Sequence, residues 1–90
     1  MLSLPAKLNI AAAGAALPAL VSQAGQGSGA LVVDASALKD FDSAAIATLL
    51  ELRRQAPGRA FSVSGAPKAM VELAGIYGVA DLLGLSPLAA

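Results

Sequence analysis

Hydrophobic and polar positions along the chain change their period several times, and each change marks an element. Leu2 and Leu4 begin a short N-terminal strand that extends past Pro5 to Leu8. From Asn9 onward Ile10, Ala13, Leu17, Leu20, Val21 and Ala24 fall at i, i+3, i+4 spacing, the pattern of one helical face. Asn9 suits the N-cap, because its side-chain oxygen can accept a first-turn amide. Pro18 disturbs this helix, since a proline ring clashes with the carbonyl four residues back, here Gly14. The pattern therefore predicts a kink at Pro18, or a helix proper that starts near Leu17. The run Gly25-Gln26-Gly27-Ser28-Gly29 ends the helix and supplies a turn.

Ala30-Leu31-Val32-Val33 is continuously apolar, as a buried parallel strand is, and it finishes at Asp34. A loop from Ala35 to Asp42 leads to a second amphipathic helix. Ile46, Leu49, Leu50 and Leu52 mark its inner face, with Thr48, Glu51, Arg54 and Gln55 on its wet side. Pro57-Gly58 stops it. Ala60-Phe61-Ser62-Val63-Ser64 alternates as a strand nearer an edge. Pro67 fits the first turn of a third helix that carries Met70, Leu73 and Tyr77 inward and ends at Gly75 and Gly78. Ala80 to Leu85 adds one short turn or helix. The order β-α-β-α-β-α demands parallel neighbours joined by right-handed crossovers. The expectation is an α/β fold: a short, mainly parallel sheet covered by three to four helices. No repeat or linker divides residues 1–90, which read as a single domain.

Composition narrows the chemistry. With 57% hydrophobic and 13% charged residues the chain is too apolar to be disordered. The apolar excess suggests a covered face and hence a partner, although 22 alanines inflate the figure. Six basic and six acidic residues cancel, so no basic field points to nucleic acid. Without cysteine or histidine there is no disulfide scaffold, no zinc finger and no Cys- or His-based catalysis. The apolar stretch Leu8 to Val21 is too short to span a bilayer, which takes about 20 apolar residues. Lys7, Ile10 to Val21 and Ser22-Gln23-Ala24 form a rival signal-peptide pattern. Its charged region is thin, however, and cleavage would strip the core, so the chain reads as cytoplasmic without membrane insertion.

Few residues remain for a site. Asp34, Asp40 and Asp42 lie with Ser43 where a strand ends and a helix begins, the place where open α/β sheets bind ligands. Taken as a magnesium and phospho-aspartate site, like that of haloacid-dehalogenase phosphatases, Asp40-Phe41-Asp42 should follow its strand directly; Ala37-Leu38-Lys39 intervenes, and a second set of carboxylates is missing. No glycine pattern for a nucleotide is present, because Gly25, Gly27 and Gly29 precede a strand. A serine nucleophile would lack a histidine base, leaving only Lys39 or Lys68. Neither enzyme activity, cofactor nor metal is expected. Asp42 or Ser43 serves most simply as an N-cap, worth about 1 kcal/mol, and Asp34 as a tie to the following loop through Ser36.

The whole string says more. Val33-Asp34-Ala35-Ser36-Ala37-Leu38, followed by Phe41-Asp42-Ser43-Ala44-Ala45-Ile46-Ala47-Thr48-Leu49-Leu50, resembles the signature of the STAS domain. That fold is shared by anti-sigma-factor antagonists and the cytoplasmic tails of sulfate transporters. Val63-Ser64-Gly65-Ala66-Pro67 and Leu73-Ala74-Gly75-Ile76-Tyr77-Gly78-Val79 resemble its last strand and helix, and the likeness runs from about Leu4 to Leu85. Within the family, the short length and the Leu-Ala-x-x-Tyr-Gly-Val ending are similar to the Mla-type subunit of the ABC transporter that maintains outer-membrane lipid asymmetry. The resemblance implies a non-catalytic cytoplasmic subunit, peripheral to the inner membrane through the transporter ATPase that it stabilises or regulates. The alternative it implies is an anti-sigma-factor antagonist, with Ser43 in the position of the phosphorylated serine and an anti-sigma factor or serine kinase as partner. Ala44 and Ala45 stand where the family carries Ser-Gly, and Asn9 where many antagonists carry an Asp. Only one strand precedes the first helix, so the family's N-terminal hairpin is curtailed. The docking face expected on either reading is Lys39, Phe41, Asp42, Ser43, Ala44, Ala45 and Thr48.

Overall fold

The computed structural model describes residues 2–26 and 29–87. The N-terminal strand of the sequence reading is two strands, β1 (Leu2–Ser3) and β2 (Lys7–Leu8). Between them lies Pro5, which has no amide to give to a ladder, and the chain changes sheets across it. Helix α1 (Ile10–Gly25) follows, then β3 (Leu31–Asp34) and β4 (Asp40–Phe41), the latter inside what the sequence presents as loop. Next come α2 (Ser43–Arg54), β5 (Phe61–Ala66), α3 (Lys68–Ile76), α4 (Ala80–Leu83) and an unforeseen β6 (Leu85–Pro87). The main sheet has the order β1-β3-β5-β6, and β2 pairs with β4 in a small ribbon. Every pairing is parallel. The two short strands before α1 thus pair with later strands and form no hairpin with each other.

Because the strand order advances in one direction, right-handed crossovers place the helices on one face of the sheet. Burial agrees: Leu31, Val33 and Val63 are buried, whereas Val32, Ser62 and Ser64 on the opposite face are only partly so. This corrects two expectations. β3 is not buried on both faces, and β5 is interior, between β3 and β6. The apolar-polar alternation of β5 reports the sheet's wetter face, not its edge. Leu8, Val33, Leu49, Leu52, Val63, Met70 and Leu83 are the largest side chains closed completely from solvent.

Helix α1 starts at Ile10 and runs through Pro18 without ending. Pro18 and Gly14 are both exposed, so the carbonyl deprived of its donor can be met by water. Ile10 is 82% exposed rather than inward, and only Leu20 and Ala24 of this helix are buried. Thr48, placed on the wet side of α2 by polarity, is 4% exposed. Its hydroxyl donates to the Ala44 carbonyl at 2.8 Å, and that bond lets a polar side chain face the core. Tyr77 is the C-cap of α3 and half exposed, so Met70 and Ala74 carry that helix's buried face. Gly84 caps α4 at φ +59, and a Cβ there would meet the Phe61 carbonyl oxygen at 2.9 Å. Only glycine allows α4 to turn so closely into β6.

Candidate functional site

The carboxyl end of the sheet gathers the two helix starts that the sequence marks with Asn9 and Asp42. Asn9 is extended, and its Oδ1 accepts the Ala11 and Ala12 amides at 3.1 and 3.0 Å. Asp42 is extended too, and its Oδ1 accepts the Ala44 amide at 2.8 Å. The second oxygen of Asp42 accepts the Ile10 amide of α1 at 3.0 Å. The N-termini of α1 and α2 therefore lie side by side, with one carboxylate between them.

From that junction the two helices pack along each other and leave an open apolar groove of about 410 Å³. Ile10, Ala13, Gly14 and Leu17 line it from α1, and Ala44, Ala47, Thr48 and Glu51 from α2. Small residues form much of its lining, and a Cβ added at Gly14 would meet nothing within 4 Å. Ser43, the first residue of α2, stands exposed beside it.

Asp34 answers to its own turn. Its Oδ1 accepts the Ser36 amide at 2.9 Å. The Ser36 hydroxyl and then that amide hold the Asp34 carboxyl below its ordinary value. Gly65 of β5, at φ +67, lies so near that a Cβ on it would come within 3.0 Å of Ser36 Cβ. Asp40 is exposed on β4 opposite Lys7. Among the described residues the aspartates form no group able to hold a metal ion.

Of the residues expected at a docking face, Ala44 and Thr48 line the groove, and Asp42 and Ser43 stand just before Ala44 at the start of α2. Lys39 is exposed on the loop before β4, where its amide donates to the Ala6 carbonyl at 2.8 Å. Phe41 is half-buried against the core. Ala45 has no exposed surface and Thr48 very little, so Ala45 packs inward and Thr48 reaches only the groove lining. The sequence reading missed the α1 side, namely Ala13, Gly14 and Leu17 with Ile10, together with Ala47 and Glu51. The signal was present in the i, i+3, i+4, i+7 stripe of α1, which points at the groove and not only at the core. No helix among the described residues is long and apolar enough to cross a membrane.

No curated protein matches this chain. The sequence does match the family described as "Mlab, STAS domain" over residues 1–85. STAS domains are generally non-catalytic interaction and regulatory modules. With a parallel α/β fold and a match across nearly its whole length, the chain belongs to the STAS domain family.

Proposed function

We propose that this chain is the STAS subunit that binds and stabilises or regulates the ATPase of an ABC phospholipid transporter maintaining outer-membrane lipid asymmetry. On this reading it is cytoplasmic and held at the inner membrane through that partner. The observation that carries the reading is the open apolar groove beside exposed Ser43. Burying one Leu or Phe side chain of a partner there is worth about 1.5–3 kcal/mol. Exposed Lys39 and Asp40 on the segment before α2 would supply register and choice of partner more than affinity. Glu51, the ionisable side chain in the groove lining, is engaged within its own helix by Gln55 at 3.0 Å and Arg54 at 3.6 Å, which suits docking better than catalysis.

Exposure of Ser43 at the first position of α2 favours a second reading, an anti-sigma-factor antagonist switched by phosphorylation. A phosphate there adds about −1.5 to −2 charges. The helix N-terminus favours it by about 0.3–1 kcal/mol, while Asp42 opposes it. The fold tolerates the group, but an apolar partner in the groove is repelled and must desolvate it.

Affinity capture of the tagged chain from detergent-solubilised native cells, followed by mass spectrometry, tests both readings. The transporter reading expects an ABC ATPase with its permease, retained by Ser43→Ala and reduced about tenfold or more by Ser43→Asp and by Ala47→Glu. Recovery of a serine kinase or a sigma regulator in their place selects the second reading. Equal recovery by Ser43→Ala and Ser43→Asp removes Ser43 from the interface.

A further inference from the structure

We propose that Asp42 is a clasp between α1 and α2: its two carboxylate oxygens hold the N-terminal ends of both helices together and so set the shape of the groove between them. The first turn of a helix leaves four amides without an intrahelical acceptor. In α1, Asn9 Oδ1 takes the Ala11 and Ala12 amides, and the Asn9 carbonyl takes Ala13 in the first intrahelical bond. The Ile10 amide is taken at 3.0 Å by Asp42 Oδ2, 32 positions away in sequence. On α2 the same residue's Oδ1 takes Ala44 at 2.8 Å and its carbonyl takes Ala45 at 3.0 Å. Neither helix has an acidic residue in its first turn. One negative charge therefore serves two helix N-termini, each with its partial positive charge. Ile10, the residue held by the long-range bond, is also a wall of the groove.

Chemistry separates a clasp from a cap. A cap needs one acceptor, and Asn fills that role as well as Asp. The clasp uses both carboxylate oxygens, one toward each helix, and Asn puts an oxygen at only one of those places and an NH2 that can only donate at the other. Asp42→Asn therefore keeps α2 capped and releases α1 at Ile10. The effect on a partner rests on the groove being the docking site, as proposed above; the clasp itself does not.

NMR on the full chain tests this. In the parent, the Ile10 amide nitrogen is expected to show scalar coupling across the hydrogen bond to the Asp42 carboxyl carbon, as is that of Ala44. In Asp42→Asn the Ile10 coupling disappears and amide exchange at residues 10–13 quickens about tenfold or more, while Ala44 stays protected. Absence of the Ile10 coupling in the parent overturns the clasp. So does an Asp42→Asn protein that matches the parent over residues 10–13, because Asp42 is then only a cap. Loosening of α1 together with reduced ATPase recovery supports both the clasp and its role in docking. Loosening with undiminished recovery leaves the clasp standing and removes the groove as the docking site.

Discussion

Asp34 shows how one turn ties charge to stability. The Ser36 hydroxyl, and after it the Ser36 amide, hold its carboxyl below the ordinary 3.8, against a smaller opposing push from burial. A carboxyl whose folded pKa is depressed stabilises the fold fully above its unfolded pKa, and that stabilisation is lost as pH falls through the folded pKa. Ser36→Ala removes the hydroxyl donor, so its urea midpoint is expected to lie below the parent's at pH 7. The two should converge as pH drops below 3.8 and through the lowered value. A gap that stays constant with pH would place the hydroxyl's effect elsewhere. This turn, like the caps at Asn9 and Asp42, was legible in the sequence because Asx chemistry acts within two or three residues. Ile10, Thr48 and Tyr77 were not. Spacing identifies the face of a helix but not where that face leaves the core, which misplaces Ile10 and Tyr77 at helix ends. Polarity put Thr48 outside because its bond to the Ala44 carbonyl is invisible to a hydrophobic pattern.

At the scale of elements, α1 is the test of local rules against tertiary packing. Proline inside a helix is disfavoured by about 3 kcal/mol relative to alanine, yet α1 continues through Pro18. Packing of Leu20 and Ala24 into the core holds the C-terminal half, and Asn9 with Asp42 holds the start. Pro18→Ala returns a donor to the Gly14 carbonyl and removes the ring clash at an exposed position. It is expected to stabilise the chain by about 1–3 kcal/mol in urea unfolding; no gain would mean that α1 does not continue through residue 18 in solution. The helices and the longer strands β3 and β5 were readable because each has a period to read. The two-residue strands β1, β2 and β4 have none, and β6 exists through its pairing with β5. The candidate site divides the same way. Its α2 half follows the family signature, whereas its α1 half lies in an alanine-rich run where small residues give no contrast between core, groove and solvent.

Across the whole molecule, the first eight residues connect parts that are far apart in sequence. The Leu4 amide donates to the Asp34 carbonyl at 2.9 Å, and the Ala6 carbonyl accepts the Lys39 and Asp40 amides at 2.8 and 2.9 Å. The N-terminal segment thus joins the main sheet at β3 and also carries the loop that leads into Asp42 and α2. Leu2, Leu4 and Leu8 are all buried in the common core. Fully burying three such side chains is worth roughly 5–9 kcal/mol. That rivals the entire stability of a chain of this length, roughly 5–13 kcal/mol. Deleting residues 1–8 is therefore expected to abolish cooperative unfolding in urea and collapse amide dispersion in NMR spectra, rather than merely shorten the sheet. The same deletion removes the acceptor for the Lys39 and Asp40 amides, so the loop before α2 loses its anchor even where helix content survives by circular dichroism. A truncated chain that still unfolds in one sharp transition would show that the N-terminal segment covers the core without belonging to it. Asp42 would then hold α1 and α2 together without support from β2.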